Sequence, residues 1–456
     1  MRRYAFAPLL VAALALPQAS LWAAPLAGEQ AAVHVLNRAA YGPRPGDIER
    51  VRQIGVQAYI EEQLNPAPLP VALSQRLDKL ETLHLSAGDA LARFQEARKE
   101  KDGERRELVK QMASEAAEAR LLRAIESPRQ LEEVMVDFWY NHFNVFAGKG
   151  QDHVLVASYE RDAIRPYVFG SFRQMLGATA HHPAMLFYLD NWVSKAGGLN
   201  ENYARELMEL HTLGVDGGYT QKDVTELARM LTGWTYAPRR GAQFVFDPRR
   251  HDNGAKTWLG KPVTARGVNE GEYALDVLAV HPSTARNISR ELAQYFVADQ
   301  PPQALVERMA QAWISSNGDI RSVLRTMFAS PEFMDQQYAG AKYKTPYQFV
   351  VSASRASAMP VAEVKPLVGI LARLGMPLYG CQTPDGYKNT EAAWLNPDGL
   401  SRRISYALSI SNGADAAAVQ DALGASVSKR TAAIVAESNE RLRAGMLLGS
   451  PDFMQH

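Results

Sequence analysis

Helical periodicity is the strongest constraint on this chain. Apolar residues recur at three- and four-residue spacing in almost every segment, and nowhere do strand and helix patterns alternate. A parallel sheet requires that alternation, so the pattern implies a mainly α-helical fold. Ser127-Pro128-Arg129-Gln130 reads as a capping box with proline at the first helical position, opening a helix that runs to about His142. Thr220-Gln221-Lys222-Asp223 caps another, whose apolar seam of Val224, Leu227, Ala228 and Leu231 stops at Gly233. Further helices are expected over 283–298, 302–315, 319–329, 346–358, 401–412 and 427–447, with Ser330-Pro331 and Thr345-Pro346 as start signals.

Two regions depart from the pattern. Residues 86–126 are dense in Glu, Lys, Arg and Ala, which suits either one solvated helix broken at Gly103 or a helical hairpin; a charged arm for a partner is the other use of such a segment. In residues 234–271 the helical period vanishes. There Phe244-Val245-Phe246 and Thr257-Trp258-Leu259 flank Asp252-Asn253-Gly254, which reads as a β-hairpin inside an irregular loop. Length would allow about three domains at roughly 150 residues each, but no linker divides the pattern. The expectation is a single large multi-helix domain over 24–456 with a small β-hairpin insert.

The first 23 residues have another purpose. Met1-Arg2-Arg3, an apolar run over 6–16 and the small residues Ala23 and Ala24 follow the order of a secretory signal peptide, with cleavage after Ala23. The run is shorter than the roughly 20 residues that span a bilayer, and no later stretch reaches that length. The mature chain is therefore expected to be periplasmic or secreted and without a transmembrane helix; Arg2-Arg3 leaves the Sec and twin-arginine routes both open. The lone Cys381 allows no internal disulfide and no CxxCH, which excludes covalent haem. A formal charge of +1 offers no electrostatic case for nucleic acid, and 46% apolar with 22% charged residues is the composition of a packed globular chain.

Residues 200–214 hold the densest candidate chemistry. On a helical wheel Glu201, Asn202, Arg205, Glu206, Glu209 and Thr212 share one arc, and Tyr203, Ala204, Leu207, Met208, Leu210 and His211 share the other. The polar arc is either a solvated face of i, i+4 pairs or an inward face whose carboxylates bind a metal or act as acid and base. His142 falls among Leu131, Val134, Met135, Phe138 and Trp139, so it points inward, where it needs a hydrogen-bond partner or a metal. His211 also lies on an apolar arc and reads as a core histidine, and His181-His182-Pro183 as the turn before a short helix. The run from Asp247 to Lys256 packs two carboxylates, an imidazole and three cations into ten positions, which suits an anion or substrate pocket or, equally, a polar turn. HExxH, ExxH, GxSxG and GxxxxGK[ST] are all absent. Any divalent metal site must assemble from distant residues such as His142, Glu206 and His251.

These same stretches carry a resemblance. Trp139-Tyr140-Asn141-His142-Phe143-Asn144-Val145, the string from Asn200 to Leu210, Gly217-Gly218-Tyr219-Thr220-Gln221 with Leu231-Thr232-Gly233-Trp234, and His251-Asp252-Asn253-Gly254 with Lys256 are similar to the secreted bacterial family called domain of unknown function 1800. The run from His34 to Pro43, the run from Thr383 to Tyr387, and Trp394-Leu395-Asn396 match as well, so the likeness spans nearly all of the mature chain. The resemblance implies a mostly helical exported protein and marks His142, Glu201, Arg205, Glu206, His251, Asp252 and Lys256 as motif positions. His211 stands where such proteins commonly have an aromatic residue, and Cys381 where tryptophan is expected.

Together these readings favour a hydrolase-type enzyme, metal-assisted in one version, acting on a polar or anionic substrate. Glu206 or Glu201 would be the base and His142 or His251 the acid or a metal ligand. Arg205, Asp252 and Lys256 would hold the substrate, under a hairpin folded over the Glu201–Glu206 face. The alternative is a non-catalytic secreted partner or binding protein with 86–126 as its contact surface.

Overall fold

The computed structural model describes residues 25–99, 102–238, 240–359 and 363–456. The expected signal peptide lies outside the described residues. Helices dominate, and short polar side chains start them: Asp319, Asn396, Ser428, Asn439 and Ser450 each accept a backbone N–H of the first turn. Thr220 and Thr345 form complete capping boxes with Asp223 and Gln348. Ser127 does not. The preceding helix, Asp102–Glu126, continues to its doorstep, so Ser127 turns the corner by accepting from Arg129 N at 3.0 Å. The next helix, Gln130–His142, starts late, and Gln130 Nε2 donates back to Ala124 O and Ser127 O at 3.0 and 2.8 Å.

Two other expectations need correcting, and of the two readings of the charged segment the helical hairpin is the one that holds. Residues 427–447 form two helices, Lys429–Ala436 and Glu440–Leu448, because Asn439 caps the second one. The charged segment is a hairpin of Ala87–Lys99 on Asp102–Glu126, with Gly103 inside the second helix rather than at the break. Met112, Ala116, Ala119, Leu121, Leu122 and Ile125 of that helix are buried, so its second half is a core element, whereas residues 103–111 include none that is buried. The insert contains two separate ribbons: Trp234–Tyr236 pairs with Phe244–Phe246, and Thr257–Trp258 with Lys261–Pro262, both antiparallel. The two halves of the expected hairpin thus pair with nearer neighbours, which close shorter loops.

One apolar cluster extends from Ala32 to Met454, which makes the fold a single mainly α-helical domain. Pro282–Phe296 packs on Gln303–Ser315, and Asn202–Glu209 on Gln221–Met230. A ladder of rings fills the centre: Trp139 lies 5.7 Å from Phe172, and Phe172 lies 4.9 Å from Trp313. No helix among the described residues is long and apolar enough to cross a membrane.

Beside this ladder is a buried ionic network. Arg120 reaches Asp137 at 2.6 Å and Glu160 at 3.3 Å, and Arg165 reaches Glu133 at 2.8 Å and Glu160 at 2.9 Å. The Tyr379 hydroxyl donates to Glu160 at 2.8 Å, and the rings of Tyr140, Tyr347 and Tyr379 lie 5.1–5.4 Å from the Arg120 guanidinium carbon. Burial disfavours the Arg120 charge, but Glu160, Tyr379 and Asp137 more than offset that and hold it protonated. Removing one member of such a network leaves the others buried and unpaired. Arg120→Met is expected to lower unfolding free energy by about 3–5 kcal/mol, whereas Arg50→Ala, which breaks an exposed pair with Glu62, should cost under about 1 kcal/mol; urea unfolding midpoints measure both.

Lys344 provides a pH handle. It is wholly buried, donates to Ser352 Oγ at 3.1 Å and lies 3.8 Å from the Phe453 ring centre. Burial first, and Arg403 second, push its ammonium down to about 7 from 10.5. Between these values the unfolded chain holds a proton that the folded chain has released, so stability rises with pH. From pH 7 to 9 the slope should approach about 1.4 kcal/mol per pH unit. Thermal unfolding across that range checks it, and Lys344→Met should flatten the slope.

Candidate functional site

A cleft of about 280 Å³ opens at the end of the Gln130–His142 helix. Asp137, Phe138, Asn141 and His142 line one wall at i, i+1, i+4 and i+5 spacing. Asn287, Arg290, Glu291 and Gln294 line another, at i, i+3, i+4 and i+7 along Pro282–Phe296. Glu209 and Leu210 close it from the end of Asn202–Glu209, and Asp385, Tyr387 and Lys388 from a loop near the C-terminus. Three motif-bearing stretches that are far apart in the chain therefore meet at one opening.

The C-terminal loop is held there by the first stretch. Asn141 accepts from Tyr387 N at 2.7 Å and donates to Tyr387 O at 2.8 Å, as a neighbouring strand would. Asn144 Nδ2 donates to Cys381 O at 3.0 Å and Thr383 O at 2.8 Å. Gly386 has a φ of +64°, and a Cβ there would lie 2.3 Å from Asn141 O, so only glycine fits. A loop without a ladder of its own must satisfy its backbone with side chains, and the two asparagines do so.

His142 is buried, as its position on the wheel requires, with Nδ1 2.9 Å from Glu291 Oε2 and Nε2 3.2 Å from the carbonyl of His211. His211 is buried at the next turn, its imidazole disfavoured as a cation by burial first and His142 second. The helix that was expected to include it ends at Glu209, because the backbone turns toward Gly214 at φ +83°.

The carboxyl groups nearby are shifted in opposite directions. Burial first, then Glu209, with Asp385 adding and Arg205 opposing, raises the Glu206 carboxyl above its usual range. Burial also acts to raise Asp385, but hydrogen bonds from Lys388 and Thr383 outweigh it and hold that carboxyl low. The Lys388 ammonium is 2.6 Å from Asp385 Oδ2.

The other sequence candidates sit elsewhere. Glu201 accepts from Thr225 at 2.7 Å, Gln221 at 2.8 Å and Arg205 at 3.3 Å, tying Asn202–Glu209 to Gln221–Met230. Arg205 is part-exposed in that pair. His251 is sealed between Thr232 O at 2.9 Å and Glu270 at 3.4 Å, and Lys256 pairs with Glu270 at 2.7 Å. Asp252 pairs with Arg229 at 2.8 Å, whose hydrogen bonds, above all, push its carboxyl down to about 2. The 247–256 run is a polar turn latched to Gln221–Met230 and Val268–Ala279, and its contacts are not with the Glu201–Glu206 face. His142, Glu206 and His251 do not form one set of ligands, and among the described residues no group of three His, Cys, Asp or Glu side chains is placed to hold a metal.

Glu209 was one of the polar-arc carboxylates, whereas Asp137, Asn141, Glu291 and Asp385 were not singled out from sequence. Asn141 and Asp385 fall inside the motif strings, and the spacing of Asp137 from Asn141 and His142 put all three on one face. Glu291 had no local signal. Asn141→Ala is expected to cost about 1–3 kcal/mol through the two unmade bonds to Tyr387, and amide hydrogen exchange at Tyr387 should accelerate before the core opens.

A family model described as protein of unknown function, DUF1800, matches residues 34–455. No curated protein and no solved structure matches the chain.

Proposed function

The chain belongs to the DUF1800 family, and for this member we propose an exported, periplasmic or secreted hydrolase that acts on a polar substrate in the cleft beside His142. The observation that carries this reading is the meeting of three motif stretches at one polar cleft lined by Glu209, Glu291 and Asp385, with the Glu206 carboxyl on the same helix as Glu209 shifted up and the Asp385 carboxyl shifted down. Carboxyls shifted in opposite directions are what the acid and the base of a hydrolytic site require. Asp385 is the base that takes a proton from water, and Glu206 the acid that gives one to the leaving group. Arg290 and Lys388 hold an anionic portion of the substrate, and the His142–Glu291 pair fixes the floor. This reassigns Glu206 from base to acid and releases Glu201, His251, Asp252 and Lys256 to structural duty.

The alternative is a non-catalytic secreted partner whose contact surface is the exposed part of the 86–126 hairpin. The test of the hydrolase is a panel of chromogenic esters, glycosides and phosphodiesters with the full mature chain from pH 4 to 9. One class should be turned over, and Asp385→Asn should lower kcat/KM by about 10²–10⁴-fold with unchanged thermal unfolding. The base is lost on the acid side and the acid on the alkaline side, so the profile should be bell-shaped, and Glu206→Gln should depress its plateau. A folded protein that turns over none of the panel, or an Asp385→Asn variant with full rate, overturns the reading.

A further inference from the structure

The helical hairpin leans over the loop that follows the Gln130–His142 helix and leaves a second, larger groove, of about 700 Å³. Its walls carry the cationic side chains of Arg98, Arg105, Arg106 and Lys110, the imidazole of His153, and the rings of Phe94 and Phe187. No carboxylate among the described residues lines it. Glu96, Glu104 and Glu107 of the same helices are exposed, and Glu107 meets Lys110 only as a solvated i, i+3 pair at 3.4 Å. Arg98 and Arg106 come from two helices that converge on one groove, and an anion bound between like charges removes their repulsion.

The rings are arranged as well. Phe187 stacks on Trp192 at 5.8 Å and 27°, and His153 meets Phe94 edge-on at 4.8 Å. The Nε2 of His153 is shielded from solvent and has no hydrogen-bond partner among the described residues, so a polar atom is wanted there. The size is that of a small-molecule pocket, and the near-neutral chain has no extended basic stripe for a nucleic-acid strand.

We propose that this groove binds a small phosphate-bearing anion with a planar ring, of nucleoside diphosphate size. The phosphates lie against Arg98, Arg106 and Lys110, and the ring lies between Phe94 and Phe187. Guanidinium groups pair bidentately with phosphate oxygens, and a planar ring gains stacking on phenyl faces. The site is separate from the cleft beside His142 and does not depend on the hydrolase reading.

The test is calorimetric titration of the full mature chain with adenosine diphosphate, and in parallel with inorganic pyrophosphate and with adenosine. Adenosine diphosphate should bind, more weakly as salt rises, and pyrophosphate and adenosine should each bind at least about tenfold more weakly. Arg98→Gln/Arg106→Gln should weaken adenosine diphosphate at least about tenfold without changing thermal unfolding, since both side chains are exposed, and Phe187→Leu should weaken it at least about tenfold as well. Asp385→Asn, in the other site, should bind it as the unaltered chain does. No heat up to about 1 mM ligand, affinity unchanged in the double arginine variant, or pyrophosphate bound as tightly as adenosine diphosphate overturns the proposal.

Discussion

Arg120 is the group on which most of the arrangement depends. A guanidinium taken out of water must be surrounded by acceptors and by faces that favour a cation, and each supplier here comes from a different part of the chain. Asp137 comes from the Gln130–His142 helix, Glu160 from the segment after it, and Tyr379 from the C-terminal loop. Arg165 closes the set by bridging Glu160 and Glu133. Two guanidinium groups thus face three carboxylates, and burial first raises the Asp137 carboxyl above its usual range. The same Asp137 lines the cleft and accepts from the Tyr295 hydroxyl at 3.4 Å. The ionic network and the cleft therefore share a wall, and the first positions the second.

The cleft is assembled by backbone satisfaction as much as by apolar packing. The C-terminal loop has no strand or helix to pair its carbonyls, and Asn141 and Asn144 act as a substitute strand. His142 does the same for the carbonyl of His211 while its other nitrogen faces Glu291. One short string on one helix end therefore orients the loop that brings Asp385, the turn that brings Glu209, and the helix that brings Glu291. That concentration of tasks gives the Asn141–Asn144 string a physical role that a histidine in an apolar arc did not by itself suggest.

Much of the helical architecture was legible from local chemistry. Capping by Thr220 and Thr345 and the seam of Val224, Leu227, Ala228 and Leu231 are one-dimensional signals, and each is seen where its spacing put it. The misreadings have a common cause, which is competition from a neighbouring element. Ser127 serves a corner because another helix runs up to it, Phe244–Phe246 pairs with Trp234–Tyr236 rather than across the Asp252 turn, and Asn439 interrupts a helix that apolar spacing alone would continue. The polar candidates divide in the same way. An imidazole, a lysine and carboxylates within ten residues looked like a site, but Glu270, Arg229 and Thr232 from outside the run take up those groups.

By itself the sequence determined the class of fold, the inward direction of His142, and the stretches in which polar residues cluster. Hydrophobic period and capping are properties of residues a few positions apart, so a single strand of text carries them. Only the tertiary structure decided which clusters share a cleft. Asp385 joins Glu209 at the cleft from 176 positions away, and His142 meets Glu291 rather than His251, because buried charges and unpaired loop carbonyls must find partners wherever the packed helices bring them.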